Sequence, residues 1–223
     1  MEFLIRSGIW VALCAVALLM AASRSMGVAP TAGLIVVTGL GTVAVYAFDR
    51  WTAGRGSWPI WVACGIGAVI VGLRLPREAI AILAGVCALA VVHARLRRFA
   101  WLKPLYIALA WLAVVVGLPW VMRGPGPLPT VALPIVFAIL ANVLACDAVD
   151  REAEAAQISP ARVYWIARVV AAAGVVLGIP DPAAVIPGAM LVAMVRWPVT
   201  RWWAERGLDG ALLVGGGLAL VLS

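Results

Sequence analysis

Apolar runs of about one helix length alternate along the whole chain with short gaps that hold charged residues, proline or glycine. A membrane-spanning helix needs roughly 20 predominantly apolar residues. Nine runs come near that length: 8–23, 31–48, 58–73, 78–94, 104–121, 128–146, 161–179, 182–196 and 208–222. Several are short, so we expect tilted or locally mismatched helices. The pattern predicts an all-α polytopic membrane helix bundle of about nine transmembrane helices, with residues 1–223 forming a single transmembrane domain.

The first run resembles a secretory signal peptide, because the basic Arg6 precedes the apolar stretch WVALCAVALLMAAS. We expect this stretch to be the first membrane helix.

Composition supports a membrane protein. The 223 residues are 65% hydrophobic and 12% charged, with a mean hydropathy of +1.08, whereas soluble domains average about 45–50% apolar and about 25% charged. A net charge of +7 on a soluble chain would suggest nucleic acid, but here the charges lie between apolar runs. We therefore expect contacts with membrane lipid and no nucleic-acid partner.

The four cysteines indicate no redox or zinc chemistry. They lie inside apolar runs without a CxxC pair, and the chain has one histidine.

Basic residues divide unequally when the gaps are assigned alternately to the two faces of the membrane. Twelve lie on the N-terminal face, four lie on the opposite face, and Arg168 lies within a span. Since Lys and Arg are enriched in cytoplasmic loops, this distribution predicts that the N-terminus is inside. We expect a location in the bacterial inner (cytoplasmic) membrane, and Arg168 should face the interior or a polar partner.

An acidic segment follows the sixth run and is the main candidate for chemistry. On a continuing helix Asp147, Asp150 and Glu154 fall at i, i+3 and i+7, which places three carboxylates on one face. Like charges in this arrangement repel, and Mg2+ bridging to substrate phosphates would relieve the repulsion. Two other interpretations remain open: Arg151 could neutralise part of the cluster, or the acids could simply end the helix in water.

The segment DAVDREAE, which holds these acids, resembles the second aspartate-rich motif, DxxDxEGD, of the UbiA superfamily of intramembrane prenyltransferases. Members have nine transmembrane helices and hold a prenyl diphosphate through Mg2+ at two such motifs. The resemblance implies Asp147 and Asp150 as catalytic residues, and Asp147, Asp150 and Glu154 as metal ligands. Asn142 fits the polar character of the preceding family segment and is assigned to substrate binding.

The first family motif is represented after the second run by Asp49 alone, which the resemblance implies as a catalytic residue and metal ligand. The neighbouring Arg50 is assigned to substrate binding. Phe48 stands in the place of the family's asparagine, and Thr52 and Gly54 stand near the places of its other acids.

The fourth gap, HARLRRFAWLKP, is similar to the family's basic loop that grips the diphosphate. The resemblance implies substrate binding by Arg97, Arg98 and Lys103, because guanidinium and ammonium groups bind phosphate oxygens. Positive-inside anchoring alone is the competing interpretation.

Two functions follow as hypotheses. In the first, the chain is a UbiA-like, Mg-dependent prenyltransferase that moves an isoprenyl group from a prenyl diphosphate to an aromatic or lipid acceptor on the cytoplasmic side. In the second, it is a non-catalytic UbiA-like membrane subunit, or a binder of a quinone, pigment or isoprenoid, with membrane-protein partners. A transporter has little support, since no inverted repeat is visible. The triplet Gly215 to Gly217 favours close helix packing over phosphate binding.

Overall fold

Nine helical segments follow one another in the computed structural model, which describes residues 8–52, 54, 58–96, 102–124, 126–154, 159–195 and 200–223, with side chains throughout except at 93–96 and 150–154. Within these ranges no strand is present. The segments are α1 (Ile9–Ser25), α2 (Ala32–Thr52), α3 (Trp58–Gly72), α4 (Arg77–Leu96), α5 (Leu102–Arg123), α6 (Ala132–Glu154), α7 (Pro160–Gly178), α8 (Pro182–Ala193) and α9, which comprises Arg201–Trp203, Ala204–Leu208 and Asp209–Leu222.

Four of these helices are long and apolar enough to cross a membrane: α2, α5, α7 and the Ala132–Val149 part of α6. Helices α1, α3 and α8 are apolar but shorter. The predicted all-helical membrane protein is confirmed at this level. Nine spans with the N-terminus inside remain a prediction.

The helices agree with the apolar runs except where charge begins. Helix α6 continues past the sixth run to Glu154, and α9 begins before the ninth run. Hydropathy falls at charged positions, but the backbone hydrogen bonds of a helix do not depend on apolar side chains. The acidic segment is therefore helical, which is the condition on which Asp147, Asp150 and Glu154 share one face.

Two helices contain a wider π-helical turn. It covers Ala113–Gly117 in α5 and Ala204–Leu208 in α9. A π turn adds a residue to the local repeat and rotates the following side chains. In α5 this turn buries Val115 and Val116 in the core.

The core is built around α6, which packs along most of α7 through small residues. A Cβ atom at Gly174 would lie 2.6 Å from Phe137 Cβ, and one at Gly178 would lie 3.1 Å from Pro134 Cβ. Glycine is thus required for the two backbones to approach this closely.

Helices α3 and α4 form the periphery and present apolar side chains outward. Gly72 is the one residue of α3 that is fully buried, while Ile66, Val69 and Ile70 are more than half exposed. In a membrane this surface would contact lipid tails.

The two ends of the bundle carry different polar groups, and we name them the Asp147 end and the Asp181 end. At the Asp181 end, the carboxylate accepts hydrogen bonds from Ser25 Oγ at 3.2 Å, Thr130 Oγ1 at 3.2 Å and the Ala183 backbone N–H at 2.9 Å. These bonds join the end of α1, the approach to α6 and the start of α8. The turns at this end are thereby held together by one side chain.

Arg168 has polar partners, as expected for a charge inside a span. It donates from Nε to the Met194 carbonyl at 2.7 Å and from Nη2 to the Val195 carbonyl at 3.0 Å. Its guanidinium also lies 5.0 Å from the ring centre of Tyr164. Carbonyls at the end of a helix lack intrahelical donors, and Arg168 supplies donors to the two carbonyls just after α8.

The glycine triplet of α9 provides a test of the packing. A Cβ atom at Gly215 would lie 2.9 Å from the Ile186 Cα atom of α8, whereas one at Gly217 would meet nothing within 4 Å. We expect Gly215→Ala to lower the free energy of unfolding by about 1–3 kcal/mol, because the backbones of α8 and α9 must move apart to admit the methyl group. Gly217→Ala should be neutral or stabilising, because Ala favours helix over Gly by about 1 kcal/mol.

Both variants would be measured by thermal or chemical unfolding in the same detergent. Equal losses at the two positions would contradict the close approach of α8 and α9.

Candidate functional site

The acidic segment and the basic segment meet at the Asp147 end. Lys103 in the first turn of α5 lies with its Nζ 3.5 Å from Asp147 Oδ1 on α6, although the residues are 44 positions apart in sequence. The Asp147 side chain is 8% exposed and that of Lys103 is 28% exposed. A carboxylate buried to this degree needs a charged or hydrogen-bonding partner, and Lys103 supplies one.

The remaining predicted residues of these two segments are described only in part. Arg97 and Arg98 lie outside the described residues, and for Asp150 and Glu154 the backbone is described but the side chain is not. Among the side chains that the structure describes, no three His, Cys, Asp or Glu residues lie together as metal ligands. The four predicted ligands therefore stay untested as a set, and the Mg2+ site remains a hypothesis.

The single aspartate of the first motif lies at the same end of the bundle. Asp49 and Arg50 are half-buried in the last turn of α2, and each has a partner. The Thr52 hydroxyl donates to the Asp49 carbonyl at 2.8 Å, so Thr52 completes the helix end.

Phe48, in the place of the family's asparagine, packs with tryptophans of the same end. Its ring centre lies 5.3 Å from that of Trp61 and 6.0 Å from that of Trp51. Offset and edge-on contacts of this kind stabilise aromatic clusters. Phe48 thus belongs to an aromatic contact between α2 and α3.

A second polar cluster joins α6, α9 and α1. The Asn142 side chain, 8% exposed, donates from Nδ2 to Asp209 Oδ1 at 3.0 Å. The Cys14 thiol donates to the Asp209 carbonyl at 3.1 Å, and the Cys146 thiol lies 3.9 Å from Asn142 Oδ1. Asn142 thus holds the carboxylate of Asp209, and its predicted role in substrate binding stays a prediction.

The sequence interpretation gave Asp209 no functional role. A usable signal was present, because Asp209 begins an apolar run and Asn142 lies within another. Polar side chains at such positions need a partner inside the protein.

Tyr46 on α2 packs against the chain just before α1. Its Cβ atom lies 3.1 Å from the Cβ position of Gly8. Gly8 has φ +79°, in the left-handed region that glycine adopts at little cost, so the start of α1 can turn closely against Tyr46.

An apolar cavity of about 420 Å3 extends from Tyr46 into the bundle. Its walls come from α1 to α5 and include Ala15, Thr42, Leu83, Trp111 and Val114. Ligand sites are typically concave and mostly apolar, with a few placed polar groups. The cavity is therefore a space that an apolar group could fill, with Thr38, Thr42 and Tyr46 among its polar lining residues.

Comparison of this chain with protein-family models, with curated proteins and with solved structures finds no match.

The contact between Lys103 and Asp147 gives a testable stability difference. We expect Lys103→Met to lower the free energy of unfolding by about 1.5–3 kcal/mol, because Asp147 then loses a charged partner while buried. The double variant Lys103→Met/Asp147→Leu should recover part of this loss, since neither charge remains.

The matched control is the pair Arg201 and Glu205, which also lies at 3.5 Å but has side chains 64% and 43% exposed. Arg201→Met should cost about 0–1 kcal/mol. Chemical unfolding in detergent would measure all three variants. A loss at Lys103 no larger than that at Arg201 would contradict a stabilising buried pair.

Proposed function

We propose that the chain is a UbiA-like, Mg-dependent prenyltransferase of the membrane. It transfers an isoprenyl group from a prenyl diphosphate to a hydrophobic acceptor, aromatic or lipid, at the Asp147 end, taken as the cytoplasmic side of a bacterial inner membrane. The observation that carries the proposal is the contact of Lys103 with Asp147. It brings together the two segments that resemble the family's diphosphate-binding elements.

The cavity beside Tyr46 supports the same function. An isoprenyl chain is a long hydrocarbon with a highly charged head, so its site must offer apolar volume next to polar groups. The cavity supplies about 420 Å3 of mostly apolar space inside the bundle, and Asp49 lies one turn of α2 beyond Tyr46, which lines it.

In the proposed reaction the bond between the allylic carbon and the diphosphate oxygen breaks, and its electron pair leaves with pyrophosphate. The acceptor forms a bond to that carbon and releases a proton to solvent. Lys103, with Arg97 and Arg98, would stabilise the charge that develops on the leaving group. Carboxylate oxygens are hard ligands that suit Mg2+, and they would come from Asp147, Asp150, Glu154 and Asp49. Mg2+ bound there would neutralise charge on the diphosphate.

Activity would be tested with the purified protein in lipid nanodiscs, Mg2+ and labelled prenyl diphosphates of several chain lengths. We expect pyrophosphate release that stops on chelation of Mg2+ and returns on its addition. Asp150→Ala should reduce release about a hundredfold or more, a loss typical of removing one electrostatic contact to the transition state. The control is Glu205→Gln, which removes a carboxylate of α9 outside the acidic segment. It should leave the rate of pyrophosphate release unchanged.

An unchanged rate of pyrophosphate release in Asp150→Ala would reject the proposed prenyltransferase activity. The absence of both pyrophosphate release and prenyl diphosphate binding in the natural sequence would reject it as well.

A second candidate is a non-catalytic UbiA-like subunit or lipid-binding protein. The packing of Phe48 against Trp51 and Trp61 favours it, because an aromatic contact occupies a metal-binding part of the first motif. Stable copurification with a membrane complex, together with an unaltered phenotype for Asp150→Ala, would support this candidate. Loss of activity in that variant would exclude it.

A further inference from the structure

The end of α8 is contacted by side chains from both α7 and α9. Trp203 of α9 donates from Nε1 to the Ala193 carbonyl at 3.0 Å. Arg168 of α7 donates to the carbonyls of the next two residues, at 2.7 and 3.0 Å. Since consecutive Cα atoms are about 3.8 Å apart, these two side chains lie at one short stretch of backbone.

The start of α9 continues from Trp203 into an exposed aromatic and cationic surface. The Thr200 hydroxyl accepts from the Trp203 backbone N–H at 3.2 Å and fixes the start of the helix. The Trp203 ring stacks with that of Trp202, with ring centres 6.5 Å apart and planes at 24°. The guanidinium carbon of Arg206 lies 4.8 Å from the ring centre of Trp202. Because Trp202 is 58% exposed, an aromatic ring and a positive charge are presented together.

Two arginines of this region have no acidic partner among the described side chains. Arg201 pairs with Glu205 at 3.5 Å, so those two charges cancel. Neither Arg168 nor Arg206 forms an ion pair within the part of the chain that the structure describes. A guanidinium has five N–H donors, and the two carbonyls after α8 use two of those of Arg168. A net positive charge therefore remains at the end of α8.

Apolar side chains border this charge and indicate an anion that carries hydrocarbon. Val192 and Val195, at the end of α8, are 75% and 76% exposed. Trp165, three positions before Arg168 on α7, is also more than half exposed. Tryptophan is enriched where the headgroups of a bilayer meet its hydrocarbon core. A free anion would need the arginines alone, whereas a phospholipid would use the charge, the indole rings and the valines.

The charge also selects among phospholipids. Arginine binds phosphate oxygens through its planar fork of donors, and positive side chains are attracted to anionic lipids. A choline headgroup carries its own cation, which the arginines would repel. The surface therefore fits a headgroup whose phosphate charge is not neutralised.

We propose that the start of α9 and the end of α8 bind the headgroup of an anionic phospholipid. Arg206 binds its phosphate, Trp202 holds the guanidinium and lies at the level of the headgroups, and Arg168 adds to the positive potential. The acyl chains lie along Val192 and Val195. This binding does not depend on prenyl transfer.

Photoaffinity labelling tests the proposal without Mg2+ or prenyl diphosphate. The full chain is placed in phosphatidylcholine nanodiscs that contain a small fraction of phosphatidylglycerol with a diazirine on the acyl carbons next to the ester. Labelled peptides are mapped by mass spectrometry. We expect labels at the end of α8 and the start of α9, about fivefold or more above those from phosphatidylcholine that carries the same diazirine chain.

Two variants should reduce labelling by phosphatidylglycerol at these peptides. Arg206→Gln should lower it about fivefold, because one arginine no longer attracts the anionic lipid. Trp202→Leu should lower it about threefold, because the ring no longer holds the guanidinium. Labelling by the phosphatidylcholine probe should stay the same in both.

Matched controls make the same chemical changes elsewhere. Arg123→Gln removes an exposed arginine at the other end of the bundle, and Trp58→Leu removes a tryptophan of α3 that is 59% exposed. Both should retain full labelling at α8 and α9. Unfolding temperatures would confirm that all four variants are folded.

Equal labelling of these peptides by the two lipids, or full labelling by phosphatidylglycerol in folded Arg206→Gln, would overturn the proposal. Loss of the labelling on addition of millimolar inorganic phosphate would overturn it too, because the surface would then bind a free anion. Pyrophosphate release is measured separately, so these outcomes are distinguishable from failure of the prenyltransferase.

Discussion

The hydrogen bond between Asn142 and Asp209 is the interaction around which the Asp147 end is organised. A carboxylate in an apolar bundle must find its partners inside the protein, because lipid offers none. Asn142 meets that requirement from α6 at 3.0 Å, and the Cys14 thiol of α1 adds a bond to the backbone of the same residue. Three helices are thereby fixed at one point.

Two polar regions with different chemistry consequently lie at the same end of the bundle. One contains Lys103 and Asp147, where a positive charge and a buried carboxylate face each other. The other contains Asn142 and Asp209, where a buried amide holds a carboxylate through a hydrogen bond. In the first region a charge balances a charge, whereas in the second a neutral donor binds the carboxylate.

The sequence was sufficient to predict the helices, because they follow from local periodicity. The sixth apolar run ends at 146, and hydropathy alone did not predict that α6 continues to Glu154. The contact of Lys103 with Asp147 was expected only through a family resemblance, since 44 residues separate the two. The bond from Asn142 to Asp209 was missed. Each residue alone signalled a need for a polar partner, but pairing them required the packing of α6 against α9. The cavity could not be predicted either, because its volume depends on how closely the side chains of five helices pack in three dimensions.

Helix α8 has a consequence for the lipid around the protein. Its 12 residues, Pro182–Ala193, extend about 18 Å at about 1.5 Å per residue, while the hydrocarbon core of a bilayer is about 30 Å thick. Beyond its end, the carbonyls of Met194 and Val195 are held by Arg168, so polar backbone and a positive charge follow directly after a short apolar helix. In a bilayer, water and headgroups would have to reach these groups beside α8. The membrane would then be thinner on that side of the protein.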